Sequence, residues 1–300
     1  METLLKEDIN LGASNIHVSE YQKADHRWGK AGRPLPELLK EIVRQEQNKQ
    51  DFISPSNRMN YYENKLGTPK GAFPVRNMFH SQVASHLHDN YSMSKKNYDH
   101  LLEHEPELHA HTVNYFWRNR PNDEARLVRV LDGKARAYMS DRYAIFDNFE
   151  LTQGVLEPIM NMKDVTMSVA SAQVTARKLY LKFVSDIEGR VGKDVIYAGL
   201  EIGNSEVGAS TVYWKMLFAK EGCFNISSTA LAYGKKHFGG RRSASDTRIE
   251  AAYSEDTRKL DTEVVKRKLI EGIQWAISPE VFNQELDKYR DAQGISIENT

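Results

Sequence analysis

Apolar side chains recur at every second position along Val212-Tyr-Trp214-Lys-Met216-Leu-Phe218, through Leu179, Leu181 and Phe183, and through Val165, Met167 and Val169. A period of two turns one side of an extended chain into a core. It predicts strands over residues 165–170 and 178–184, and on both sides of the polar loop Asn204-Ser205-Glu206-Val207, which glycines bound. Upstream, Asp132-Gly133 separates two alternating stretches, 126–131 and 134–139, a strong hairpin signal. With Asp132-Gly133 as the two-residue turn, Arg136 faces Arg129 and Tyr138 faces Leu127. Val128, Val130, Ala135 and Ala137 then form the buried side, and Arg129, Lys134, Arg136 and Tyr138 the other.

Elsewhere the period lengthens to that of a helix. Leu38, Leu39, Ile42 and Val43 predict a helix from Pro36 to about Gln50, with proline in its first turn. Helical spacing returns from Met78 to about Trp117, interrupted by polar residues near 89–96, and again over 149–160, where Pro158 must fall near the end. Two further helices fit 245–277 and 279–293, the second with Ser278 as N-cap and Gly294 as C-cap. Residues 1–35 read as an irregular arm, 51–77 as loops, 186–192 as a turn and 233–242 as a glycine-rich loop. The expected class is α+β: one antiparallel sheet in the order β-β-α-β-β-β-β with helices on one face, a helical N-terminal arm and C-terminal helices. Residues 1–120, 121–235 and 236–300 are its three stretches, expected to form one compact unit.

Composition narrows the setting. Hydrophobic residues make up 40% of the 300, enough for a substantial core, and mean hydropathy is −0.61. No apolar run approaches the ~20 residues a membrane helix needs, and the N-terminus lacks a secretory signal. A single cysteine, Cys223, forms no internal disulfide and is expected to be a buried small side chain; the cytoplasm of a bacterial host is the natural setting. Lys and Arg number 41, as do Asp and Glu, so affinity for nucleic acid requires local clustering of charge.

Basic residues do cluster. Like charges facing each other across a hairpin cost ~0.2–1 kcal/mol. The Arg129–Arg136 pair therefore calls for an anion between them, either a phosphate or a carboxylate from another segment or subunit. Arg177, Lys178 and Lys182 add charge on a neighbouring strand. Further on, Lys235, Lys236, Arg241 and Arg242 surround Phe238 and a Gly-Gly pair, where cations could meet phosphates and an aromatic ring could stack on a base. Asn204, Ser205 and Gly208 either bind a ligand or cap their own turn. Asp141, Asp147 and Glu157 could be paired carboxylates, although capping of the turn and helix around Tyr143 suits the first two better. Seven of the ten histidines lie between His80 and His111. There is no His-Glu-x-x-His, no nearby cysteine and no clear fourth ligand, so hydrogen-bonding histidines are preferred and no metal is expected. Phosphate-loop and nucleophile-elbow spacings are absent, and no cofactor is expected.

The succession Ser140-Asp-Arg-Tyr143, Asp147-Asn148, then Asn204-Ser205-Glu206-Val-Gly208-Ala-Ser, then Cys223 and Asn225, resembles a domain family of unknown function carried by phages, prophages and plasmids, including prophage proteins of enteric bacteria. The resemblance covers about residues 115–290. Relatives typically carry Cys-Thr-Asn-Gly where this chain has Cys223-Phe-Asn225-Ile, so the glycine is missing. It implies a mobile-element origin and supplies no catalytic residues. A curved sheet with a basic face is also similar in outline to the single-strand annealing recombinases of phages, which assemble as rings. The leading expectation is thus a non-catalytic, homo-oligomeric protein that binds single-stranded DNA. The alternatives are a protein-interaction or structural protein, such as an inhibitor of host defence, and a metal-dependent hydrolase using the histidines.

Overall fold

The computed structural model describes residues 16–18, 35–119, 124–160, 165–220, 227–235 and 255–294. Its first half runs β1 (Ile16–Val18), α1 (Leu35–Asn48), β2 (Lys49–Pro55), β3 (Asn60–Tyr62), β4 (Lys65–Thr68) and β5 (Gly71–Pro74), then three helices, α2 (Asn77–Tyr91), α3 (Lys95–His104) and α4 (Pro106–Arg118). The hairpin β6 (Ala125–Leu131) and β7 (Lys134–Ser140) leads to α5 (Asn148–Met160). Five strands follow: β8 (Met167–Val174), β9 (Leu179–Val191), β10 (Asp194–Asn204), β11 (Val212–Lys220) and β12 (Ser227–Lys235). Helices α6 (Glu255–Ala276) and α7 (Pro279–Gly294) close the described chain. The α+β class read from the periodicities is the class observed.

Strands β8 to β12 form an antiparallel meander, with β1 added parallel to β8. One side of this six-stranded sheet carries Leu181, Phe183, Leu200, Ile202, Trp214 and Met216, the period-two residues, into the larger core. Helix α1 covers it with Leu38 and Ile42, one turn apart; α6 adds Leu269 and Ile273, and α7 adds Phe282 and Leu286. Trp214 is buried with Val212 and Met216, as the alternation requires. Gly272 in the middle of α6 has a physical reason: a Cβ there would sit 2.9 Å from the Trp214 indole nitrogen.

The β6–β7 hairpin is not part of that sheet. It pairs with β2 in a separate three-stranded sheet, beside another formed by β3, β4 and β5. These short strands occupy the stretch expected to be loops, because runs of three to seven residues broken by proline and glycine carry little periodic signal. Both small sheets share a second core with α2, α3 and α4, built on Phe79, Leu87, Tyr98, Val113, Trp117, Val128, Val130 and Tyr138. Strand β9 also runs through the expected turn at 186–192; the chain reverses at Gly192, whose φ of +61° suits glycine. Among the described residues no helix is long and apolar enough to cross a membrane.

Asp132 and Gly133, at φ +51° and +68°, make the tight hairpin turn expected of them. The register beyond it differs from a simple ladder. Val130 faces Ala135 but Arg129 faces Ala137, so Arg136 is the extra residue of a bulge. The slip carries Tyr138 opposite Val128 and into the second core, where its ring stacks on Trp117 at 5.7 Å. Tyr138 is therefore no part of an exposed basic face.

Candidate anion-binding cleft beside a buried polar joint

Where the two cores meet, the loop between β10 and β11 plugs into the hairpin and into the segment before α5. Val207 packs against Leu127, Ala137 and Met139, and the polar residues around it are paired off. Arg129, 0% exposed, donates to Asp51, to Asp147 at 2.6 Å and to the Glu206 carbonyl at 2.7 Å. Lys49 contacts Asp147 from the other side and also Glu46. Burial opposes the charge on Arg129, but the carboxylates outweigh it and hold its pKa above the ordinary arginine value. Burial likewise opposes ionisation of Asp147, and Arg129 and Lys49 nonetheless hold its carboxyl below the usual range.

Arg136 donates from Nη2 to Glu206 Oε2 at 2.7 Å. The other oxygen of Glu206 accepts the Asn148 backbone N–H at 2.8 Å, so this carboxylate caps the positive end of α5 from across the joint. Asn204 Nδ2 donates to the Phe146 carbonyl at 2.9 Å and to Asn148 Oδ1 at 3.0 Å. Tyr143 donates to the Ser205 carbonyl at 3.1 Å. Ser205 Oγ accepts the Ala209 N–H at 2.8 Å, the self-capping expected of this turn, and donates to the Arg177 carbonyl at 2.6 Å. Gly208 turns at φ +69°. The two sequence stretches Ser140–Asn148 and Asn204–Gly208 are thus one contact surface. The anion between Arg129 and Arg136 is carboxylate supplied by the chain itself, and the exposed basic face expected on this hairpin is absent.

Beside the joint lies a cleft of about 570 Å³. One wall is the junction of β5 with α2: Val75 bridges to Ala135, and Arg76 N–H donates to the Ala135 carbonyl at 2.9 Å. That bridge sets Arg76, Asn77 and Met78 against Lys134 and Arg136 of β7. The opposite wall is the β8–β9 turn with Ala176 and Arg177, which Ser205 anchors. Among the described residues no Asp or Glu lines this cleft. Arg76 stands at the N-cap of α2 without a side-chain capping bond. Among the described residues the side chains of Arg76 and Lys134 make no hydrogen bond or ion pair, and the Arg177 guanidinium reaches only the Met78 sulfur, at 3.8 Å. Arg136 is 2% exposed, and its Nε has no hydrogen-bond partner. An unmade buried hydrogen bond costs roughly 1–3 kcal/mol, and the cleft is the open space this side chain borders. A second depression, about 520 Å³ at the β11–β12 edge, differs in charge: Glu201 lines it and takes its Lys215 at 3.0 Å.

Of the basic residues expected to bind phosphate, the structure gathers Lys134, Arg136 and Arg177 into this cleft. Arg129 and Lys182 are buried instead, the latter opposite Glu201 in the sheet register; neither contributes to an exposed surface. Lys178 is half-buried just before β9 and is not among the residues that line the cleft. Lys236, Phe238, Arg241 and Arg242 lie outside the described residues, as does Cys223, and of Lys235 only the backbone, at the end of β12, is described. Arg76 and Asp51 were not singled out from the sequence. Asp51 lies within, and Arg76 just after, a short strand that periodicity does not reveal; the only signal for Arg76 was its place before an apolar helical run.

Three of the seven clustered histidines, His80, His86 and His109, serve the second core, while His88, His100, His104 and His111 are exposed. His80 bonds Tyr98 OH at 3.0 Å and Asn64 at 2.9 Å, and His86 bonds Tyr138 OH at 3.1 Å. His109 is 0% exposed in the stripe His109-Val113-Trp117 of α4, with neither ring nitrogen hydrogen-bonded. Burial pushes both His80 and His109 down to about 4. Among the described residues no group of His, Cys, Asp and Glu could hold a metal ion. Nor does Asp147 act as a helix cap, its carboxylate being taken by Arg129 and Lys49. Comparison of this chain with known protein families, with curated proteins and with solved structures finds no match.

Proposed function

We propose that this is a non-catalytic nucleic-acid-binding protein of a mobile element, holding single-stranded DNA by its phosphates. The observation that carries the reading is the set of Arg76, Lys134, Arg136 and Arg177 around one cleft that no carboxylate among the described residues lines. Among the described residues Arg76, Lys134 and Arg177 make no ion pair, and cations of that kind release counterions when phosphate arrives. Their position at the uncapped start of α2 adds the positive end of a helix dipole. Pairing of the neighbouring charges inside the joint leaves the cleft as a local positive feature on a chain of zero net charge.

Binding of a fluorescent single strand across a salt series tests this. Arg76→Ala and Arg177→Ala are each expected to weaken binding about equally for different sequences and to flatten the log-affinity against log-salt slope by about 0.7. Wild-type protein that binds no strand at low ionic strength would end the reading. A second reading, a protein partner, draws on the large apolar side chains exposed on α6, Leu260, Val264 and Trp275. A stable host-protein complex without nucleic-acid affinity would favour it.

A further inference from the structure

We infer that the floor of this cleft receives one terminal phosphate group, a phosphomonoester dianion carried on a strand end or on a free nucleotide. The inference rests on the nucleic-acid reading only for what carries the phosphate. It starts from the unequal treatment of two buried arginines, each three residues from the same turn. A guanidinium offers five N–H donors. Arg129 spends its donors on Asp51, Asp147 and the Glu206 carbonyl. Arg136, equally buried, meets only Glu206 among the described residues, and its Nε, itself buried, is left without an acceptor in a side chain that lines the cleft. An acceptor placed in the cleft would complete it as the carboxylates complete Arg129.

Charge and size select the acceptor. Glu206 neutralises Arg136 and Asp132 attracts Arg76 in part, which leaves a positive surplus on Arg76, Lys134 and Arg177 together with the first residues of α2, Asn77 and Met78. An internal phosphodiester brings one negative charge, whereas a terminal phosphate brings about −1.5 to −2 at pH 7 and three acceptor oxygens. The dianion matches the surplus better. At about 570 Å³ the cleft has the dimensions of a small-ligand site, ~300–1,000 Å³, rather than of a groove that follows a strand. An end group can project to Arg136 at its floor, where an internal phosphate is held back by the chain on both sides.

The test compares oligonucleotides of one sequence bearing a 5′-phosphate, a 3′-phosphate or only hydroxyl ends, with a nucleoside monophosphate and inorganic phosphate as competitors. A phosphorylated end is expected to bind at least about tenfold more tightly than the hydroxyl form, a charge-assisted contact. The advantage should shrink below pH ~6, where the second phosphate ionisation reverses. Arg76→Ala and Arg177→Ala should abolish the preference without changing the unfolding midpoint. Arg136→Lys, which keeps a cation against Glu206 but removes Nε, should abolish it too; if that variant does not fold, the Arg76 and Arg177 variants still decide. Equal binding of phosphorylated and hydroxyl strands would overturn the inference while leaving the backbone reading intact. Inorganic phosphate or the monophosphate raising the wild-type midpoint, with no binding of any strand, would support the pocket and end the nucleic-acid reading. No response to any phosphate would end both.

Discussion

Within the joint, Arg129 meets Asp51 and Asp147, Lys49 meets Glu46 and Asp147, and Arg136 meets Glu206. In the cleft alongside, Arg76 and Lys134 make no ion pair among the described residues, Asp132 attracting Arg76 without bonding it, and the Arg177 guanidinium touches only a methionine sulfur. The residue types are the same; the number of counter-charges differs. A buried cation surrounded by carboxylates holds the protein together, because removing it strands those carboxylates in a poorly solvated place. A cation on a cleft wall without a partner costs the fold little to keep and little to lose, and is available to a ligand. Arg136 belongs to both regions, which is why it is the residue through which the cleft touches the joint.

Breaking the joint should have the largest effect. Arg129→Ala is expected to lower stability by about 3–5 kcal/mol in urea unfolding, and a loss below about 1 kcal/mol would mean that the buried pairs are dispensable. Next comes a buried ionisable group with no counter-charge at all. His109 lies among the rings of Tyr61, Tyr98 and His80, with Asp99 acting on His80 from nearby. Its folded pKa of about 4 lies below the unfolded 6.5, so the unfolded chain binds more protons between those values. Stability is then full above pH 6.5 and falls as pH drops toward 4, by about 3 kcal/mol for His109. His109→Phe should remove that part of the slope between pH 6.5 and 4; an unchanged pH profile would show that this ring is already protonated or solvated. Smaller again is Tyr143→Phe, which deletes the bond to the Ser205 carbonyl and should cost about 1 kcal/mol by the same unfolding measurement.

The part of this comparison legible in the sequence was the part written in periodicity and turn chemistry. Alternation placed the core side of β9 and β11, and Asp132-Gly133 announced its hairpin. The stretches Ser140–Asn148 and Asn204–Gly208, singled out from their residues, turn out to face each other. What the sequence does not display is who pairs with whom across the chain. Asp51 sits 78 residues from Arg129 and Glu206 70 residues from Arg136, and no local pattern links them. The bulge at Arg136 was equally invisible, since one inserted residue leaves the hydrophobic pattern readable in either register. A sequence rich in lysine and arginine therefore overstated the basic surface at Arg129, Tyr138 and Lys182, and it missed Arg76, which a short bridge between two small sheets delivers to the cleft.

One variant measured in two ways tests the division of labour most directly. With Arg76, Lys134 and Arg177 all replaced by alanine, stability should stay within about 0.5 kcal/mol of wild type. The salt slope of single-strand binding should flatten by about 2, three lost phosphate contacts at ~0.7 each. A variant that unfolds several kcal/mol more easily, or that binds with the wild-type slope, would contradict the claim that these cations are held for a ligand rather than for the fold.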